Sequence, residues 1–330
     1  MQLINFRKNI KYFRLVIFFS IIIYLIFKAN YNLDQIYQKL NSGINDIVLI
    51  LVLHFLHLNF VSLRMFLVFK IGLKKFLKYF KWMKLYFESL GMNIVLSHTG
   101  TAYRAYELKK NGIQYRKFLS FFYILFFSYL IFNMIFILVE LIIFLEGDPK
   151  LKIYYSLLIS FVLIVFFTIP NFFLRFFSFI KKISKKKFFE YVYKIQDSIN
   201  LQNKKILKNK KILKVLFSFG LINHLFEIFL FYFSFTVFLG ETAPSTFILL
   251  FAISFILDRI PIIRDVPGFS EIIFATASIP FGFDFTFSLL TKFLLRFTGI
   301  VSLGTNYVLS LIICDFLYKK KVNNDYNHIN

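Results

Sequence analysis

The chain has 330 residues, 58% hydrophobic and 21% aromatic, with a mean hydropathy of +0.68. Soluble domains are about half apolar; here the apolar residues run in stretches too long for a soluble core, which excludes a soluble protein and predicts an all-α, polytopic membrane protein. The 40 Lys and Arg against 17 Asp and Glu give a net charge of +23, but they lie mostly between apolar runs, as cytoplasmic loops beside anionic lipid do, so the charge does not imply a nucleic-acid partner.

Arg7, Lys8, Lys11 and Arg14 precede an apolar stretch that resembles a signal sequence. Lys28, Ala29 and Asn30 stand where a small-residue cleavage site would be, so an uncleaved first span is expected. About 20 apolar residues cross a bilayer. Six such spans are expected, at residues 13–28, 45–69, 118–145, 151–175, 212–239 and 285–317.

Basic residues concentrate at the N-terminus, in 70–117, in 181–214 with its twelve lysines, and at Lys319–Lys321. The positive-inside rule then puts both termini in the cytoplasm of a bacterial or archaeal cell, in its plasma membrane. The expected organisation is one integral membrane domain, residues 1–322, with an inside basic loop at 181–211 and a polar disordered tail at 323–330. Cys314 stands alone, which excludes an intrachain disulfide.

Residues 245–283 do not fit a clean span. Asp258, Arg259, Pro261, Arg264, Asp265, Pro267 and Gly268 interrupt the apolar run, and the orientation closes only if the segment enters and leaves on the same side. A re-entrant helical hairpin is expected, with Pro261, Pro267, Gly268 and Gly282 as its bends. Residues 91–117 are broken in a similar way around Thr99 and Gly100, suggesting a second re-entrant unit from the opposite face and an inverted repeat.

Ionisable groups at membrane depth mark sites or partners. Arg296, twelve residues into the last run, needs a carboxylate or a phosphate, because an unpaired guanidinium there costs ~2.5–3.5 kcal/mol. Glu271 is the expected partner; the pair either contacts a lipid headgroup or fixes the hairpin. Arg259 and Arg264 suit a phosphate, or are neutralised by Asp258 and Asp265. Arg104 and Arg64 are further phosphate candidates, with positive-inside placement and snorkelling as the alternatives. Asn223, His224 and Glu227 lie mid-span, where Glu227 either carries a proton or makes a helix–helix contact; Asp258 and Asp265 share that charge-coupling role. Glu140 is expected at the interface. His54 and His57 lack a third nearby ligand, so no metal is expected.

Pro261, Gly268, Glu271, Gly282 and Arg296 give P-x6-G-x2-E-x10-G-x13-R. This resembles the C-terminal signature of the lysylphosphatidylglycerol synthase transmembrane-region family, the flippase-like membrane proteins. Arg64, Gly72, Asn93, Gly100 and Arg104 are similar to the family's earlier landmarks, in order. Thr101, Val266 and Met65 depart from it, standing where the family usually has an acidic residue, a glycine and a tryptophan. The resemblance implies a stand-alone translocating half, without the soluble aminoacyl-transferase domain of bifunctional members.

The function expected is therefore translocation of a phospholipid or lipid-linked intermediate. Its partners would be membrane lipids with phosphate headgroups, and a homo-oligomer or a biosynthetic enzyme is compatible. No cofactor is expected. A membrane enzyme, or an accessory subunit in lipid-linked glycan or aminoacyl-lipid synthesis, is the alternative, although no P-loop and no H-E-x-x-H or G-x-S-x-G catalytic motif occurs.

Overall fold

The structure, a computed structural model, describes residues 34–73, 76–95, 99–144, 208–259 and 268–327, with isolated positions at 157, 197 and 206. Apart from those positions, the expected spans 13–28 and 151–175, and the basic loop 181–211 as far as residue 207, lie outside the described residues. So do Pro261, Arg264, Asp265 and Pro267.

Among the described residues all regular structure is helical. The helices are α1 (Ile44–Gly72), α2 (Tyr79–Val95), α3 (Thr99–Lys110), α4 (Tyr115–Phe144), α5 (Lys210–Leu239), α6 (Pro244–Leu257), α7 (Phe269–Ser278) and α8 (Phe285–Asn327), with a 3-10 turn at Ile279–Phe281. Four of them, α1, α4, α5 and α8, are long and apolar enough to cross a membrane. At 1.5 Å per residue a 29- or 30-residue helix reaches about 44 Å, beyond the ~30 Å of hydrocarbon. They match the expected spans 45–69, 118–145, 212–239 and 285–317. The last helix continues past that run through Asn327, into the polar tail.

The chain divides into two compact units: 1–54, 144–146 and 226–302 form unit one; 55–143, 147–225 and 303–330 form unit two. Each contains one broken stretch of short helices.

Unit two is centred on stacked aromatic rings. Phe69 lies 5.2 Å from Phe76 and 5.8 Å from Phe118, both face to face, with Trp82 at 5.5 Å. Trp82 is fully buried and its indole N–H donates to the Ser62 carbonyl at 3.0 Å, so the ring fills the core without leaving a polar atom unmet. Here α2 and α3 pack against each other. α2 ends at Val95 and α3 starts at Thr99, and Gly100 lies inside the first turn of α3. A Cβ on Gly100 would stand 1.6 Å from the Ser89 carbonyl oxygen, so glycine alone permits this approach. Asn93 Oδ1 accepts the Gly100 N–H at 2.8 Å and meets one of the donors a helix start leaves open.

Unit one packs α5 against the short helices through Phe231, whose ring lies 5.4 Å from Phe247, 5.6 Å from Phe251 and 5.8 Å from Phe274. The 14 residues of α6 and the 10 of α7 extend only about 21 and 15 Å, so neither crosses a bilayer alone. They pack on each other. Gly268, with φ +87°, starts α7, and Gly282, with φ +84°, ends the 3-10 turn; both need the left-handed conformation that glycine takes without strain.

Candidate functional site

Unit one gathers three acid–base pairs from four helices. Glu271 sits in the first turn of α7, where the helix dipole favours a negative charge. Its side chain is 1% exposed and its Oε1 lies 2.9 Å from Arg296 Nη1. Ser270 joins the two residues: its hydroxyl donates to Glu271 Oε2 at 3.0 Å and accepts from Arg296 Nη2 at 3.2 Å.

Asp258 lies at the opposite kind of helix end. It caps the C-terminus of α6, where the dipole disfavours an anion. Lys292 offsets this, with Nζ 2.7 Å from Asp258 Oδ2 and 2.7 Å from Ser254 Oγ. Lys292 is 4% exposed, so a charge that would be costly alone is held by two oxygen acceptors.

Arg259, the next residue, turns to α5. Its Nη2 lies 2.8 Å from Glu227 Oε1, and its guanidinium stacks 4.7 Å over the Phe255 ring. Glu227 thus makes a contact between helices, with an arginine. Lys292 and Arg296 are four apart and share a face of α8, and Asp258 and Arg259 are adjacent. The three pairs therefore form one connected set with three positive and three negative groups.

The structure thus brings Glu227, Asp258, Arg259, Glu271 and Arg296 together. Lys292, Ser254 and Ser270 belong to the same set and were not anticipated. One signal was available for Lys292: its four-residue spacing from Arg296.

Arg64 and Arg104 belong to unit two. Arg64 is 3% exposed, with Nη2 donating to Ser128 Oγ at 2.9 Å, so it packs inward instead of snorkelling. Arg104 is 2% exposed. Its Nε donates to Ser89 Oγ at 2.9 Å, and its guanidinium lies 4.9 Å from the Tyr86 ring centre and 5.7 Å from Trp82. Burial pulls its pKa down to about 10, opposed by Tyr86, so it stays charged at neutral pH. No carboxylate among the described residues lies within ion-pair distance of it.

The mid-span polar trio divides. His224 is bonded through α4, to Asn133 at 2.8 Å and Glu140 at 2.9 Å. Glu140 is therefore a histidine partner and not only an interfacial residue. Asn223 is fully buried, and its amide has no hydrogen-bond partner among the described residues. His54 Nδ1 is bonded to Thr298 Oγ1 at 3.0 Å. Among the described residues no three potential metal ligands cluster.

Compared with protein-family models, curated proteins and solved structures, the chain matches none.

Proposed function

We propose that this integral membrane protein translocates a phospholipid or lipid-linked intermediate, binding its phosphate at the charged set of unit one. The observation that carries the reading is the Arg296–Glu271 pair. The carboxylate is fully enclosed while the Arg296 side chain remains 28% exposed. Two of the guanidinium's five N–H donors are committed to Glu271 and Ser270, and a planar guanidinium binds phosphate oxygens bidentately.

A phosphate at the donors of Arg296 that Glu271 and Ser270 leave open would let the guanidinium keep its carboxylate, so the cation is compensated whether or not lipid is bound. This avoids the several-kcal/mol cost of an unpaired charge at membrane depth. Arg259 is 22% exposed and opposes Glu227 in the same way. The resemblance to the lysylphosphatidylglycerol synthase transmembrane-region family points in the same direction, since Glu271 and Arg296 are two of the residues that carry it.

The test is reconstitution in liposomes with a fluorescent phosphatidylglycerol, following its movement between leaflets by quenching from outside. Exchange well above protein-free vesicles, and absent for a headgroup-free diacylglycerol analogue, is expected. Equal exchange of both, or none of either, would overturn the reading. No exchange together with glycosyl or aminoacyl transfer in membranes would favour the enzyme alternative.

A further inference from the structure

Unit two holds a cation that the charged set of unit one does not use. Arg104, on α3, is 2% exposed. Its guanidinium is oriented by two neighbours. The Ser89 hydroxyl donates to the Tyr86 carbonyl at 2.7 Å, so its oxygen is left to accept the Arg104 Nε–H at 2.9 Å. Nη1 lies 3.7 Å from Met65 Sδ, a weak acceptor.

Of the five N–H groups of a guanidinium, these contacts use two, and among the described residues the others have no acceptor. Nη2, which carries two of the open N–H groups, is not enclosed, so this end of the side chain reaches the surface of unit two. The acids of α2 and α3 turn elsewhere. Glu88 is hydrogen-bonded to the Tyr103 phenol, and Glu107 pairs with Lys110 at 2.7 Å.

Aromatic rings do not replace the missing anion. The ring centres of Tyr86 and Trp82 lie 4.9 and 5.7 Å from the guanidinium. A ring face offsets part of the cost of enclosing a cation, and less of it than a hydrogen-bonded anion does. Burial pushes the Tyr86 phenol up to about 12, against the pull of Arg104, so at neutral pH it is an O–H donor and not a counter-charge. The open polar groups of this pair are therefore donors around one positive charge. The ligand that suits them is an anion with several acceptor oxygens, spaced for a planar guanidinium.

We infer that Arg104 and Tyr86 form an anion site between α2 and α3, which binds a phosphate group, free or on a lipid headgroup. Ser89 holds the guanidinium in place for it. The inference rests on unit two alone and stands whether or not the chain moves lipid.

Trp82 is the chain's only tryptophan and lies beside Arg104, so its fluorescence reports on the site. The experiment uses the full chain in maltoside micelles, which contain no phosphate. Sodium phosphate replaces chloride at constant ionic strength; a short-chain phosphatidylglycerol and the matching diacylglycerol are titrated separately. The expected result is a saturable change with at least one phosphate source and none with the diacylglycerol, with affinity about tenfold lower or worse in Arg104→Gln. Saturation by inorganic phosphate makes the free anion a ligand, and saturation by phosphatidylglycerol alone makes it a headgroup. No response to either source, an equal response to the diacylglycerol, or unchanged affinity in a folded Arg104→Gln would overturn the proposal. Should Arg104→Gln fail to fold, Arg104→Lys decides, because it keeps the charge and loses the planar fork. Weaker binding in that variant supports the site, and wild-type affinity overturns it.

Discussion

Lys292 holds Asp258 at 2.7 Å, and one turn further along α8 Arg296 holds Glu271 at 2.9 Å. The two carboxylates come from opposite sides of the same interruption: Asp258 ends α6 and Glu271 begins α7. A single face of α8 therefore clamps both ends of the broken segment. The clamp explains how two helices too short to span alone are held in place, and it exposes part of one cation.

Breaking the clamp on one side should cost stability. Lys292→Met leaves Asp258 and Ser254 without their cation, and because the Asp258 side chain is 39% exposed the cost should stay below the ~3–5 kcal/mol of a fully buried pair. A clear fall in Tm in detergent is expected, with most of it recovered in Lys292→Met/Asp258→Asn. A single variant as stable as the wild type would show that the contact contributes nothing.

The approach of α3 to α2 depends on Gly100. Gly100→Ala would push a methyl group into the Ser89 carbonyl, with a cost of at least ~1–3 kcal/mol for overpacking. Gly91 has open space around its Cβ position and lies within α2, so Gly91→Ala should be neutral or slightly stabilising. Thermal unfolding of the pair checks this; equal Tm values would remove the close contact from the account.

The long spans were legible because length and apolar composition alone decide them, and α1, α4, α5 and α8 fall where the sequence puts them. The charged residues of unit one were legible as costly groups that need partners, and the Glu271–Arg296 pairing followed from having one acid near one base. The other pairings were not. Glu227 meets Arg259 across 32 positions and His224 meets Glu140 across 84, while helical periodicity reports only neighbours on the same helix. That is why His224 was grouped with Glu227 rather than with α4. Lys292 passed unremarked because a lysine in a long apolar run gives no sign of which distant acid it will meet.

Orientation is tested by labelling. With Cys314 replaced, Glu241→Cys and Asp284→Cys bracket the broken segment of unit one. Both should react with a membrane-impermeant maleimide from the same side, and Lys320→Cys from the other. Labelling of positions 241 and 284 from opposite sides would mean the segment crosses, and the positive-inside assignment would have to be redrawn.

The most direct test of lipid translocation at Arg296 is leaflet exchange of phosphatidylglycerol in liposomes holding the reciprocal swap Glu271→Arg/Arg296→Glu. If the guanidinium binds phosphate, the swapped protein should fold with a Tm near that of the wild type yet lose exchange at least tenfold, because a carboxylate then faces the headgroup. Exchange at the wild-type rate in a folded swap would contradict the account and reduce the pair to a structural clamp.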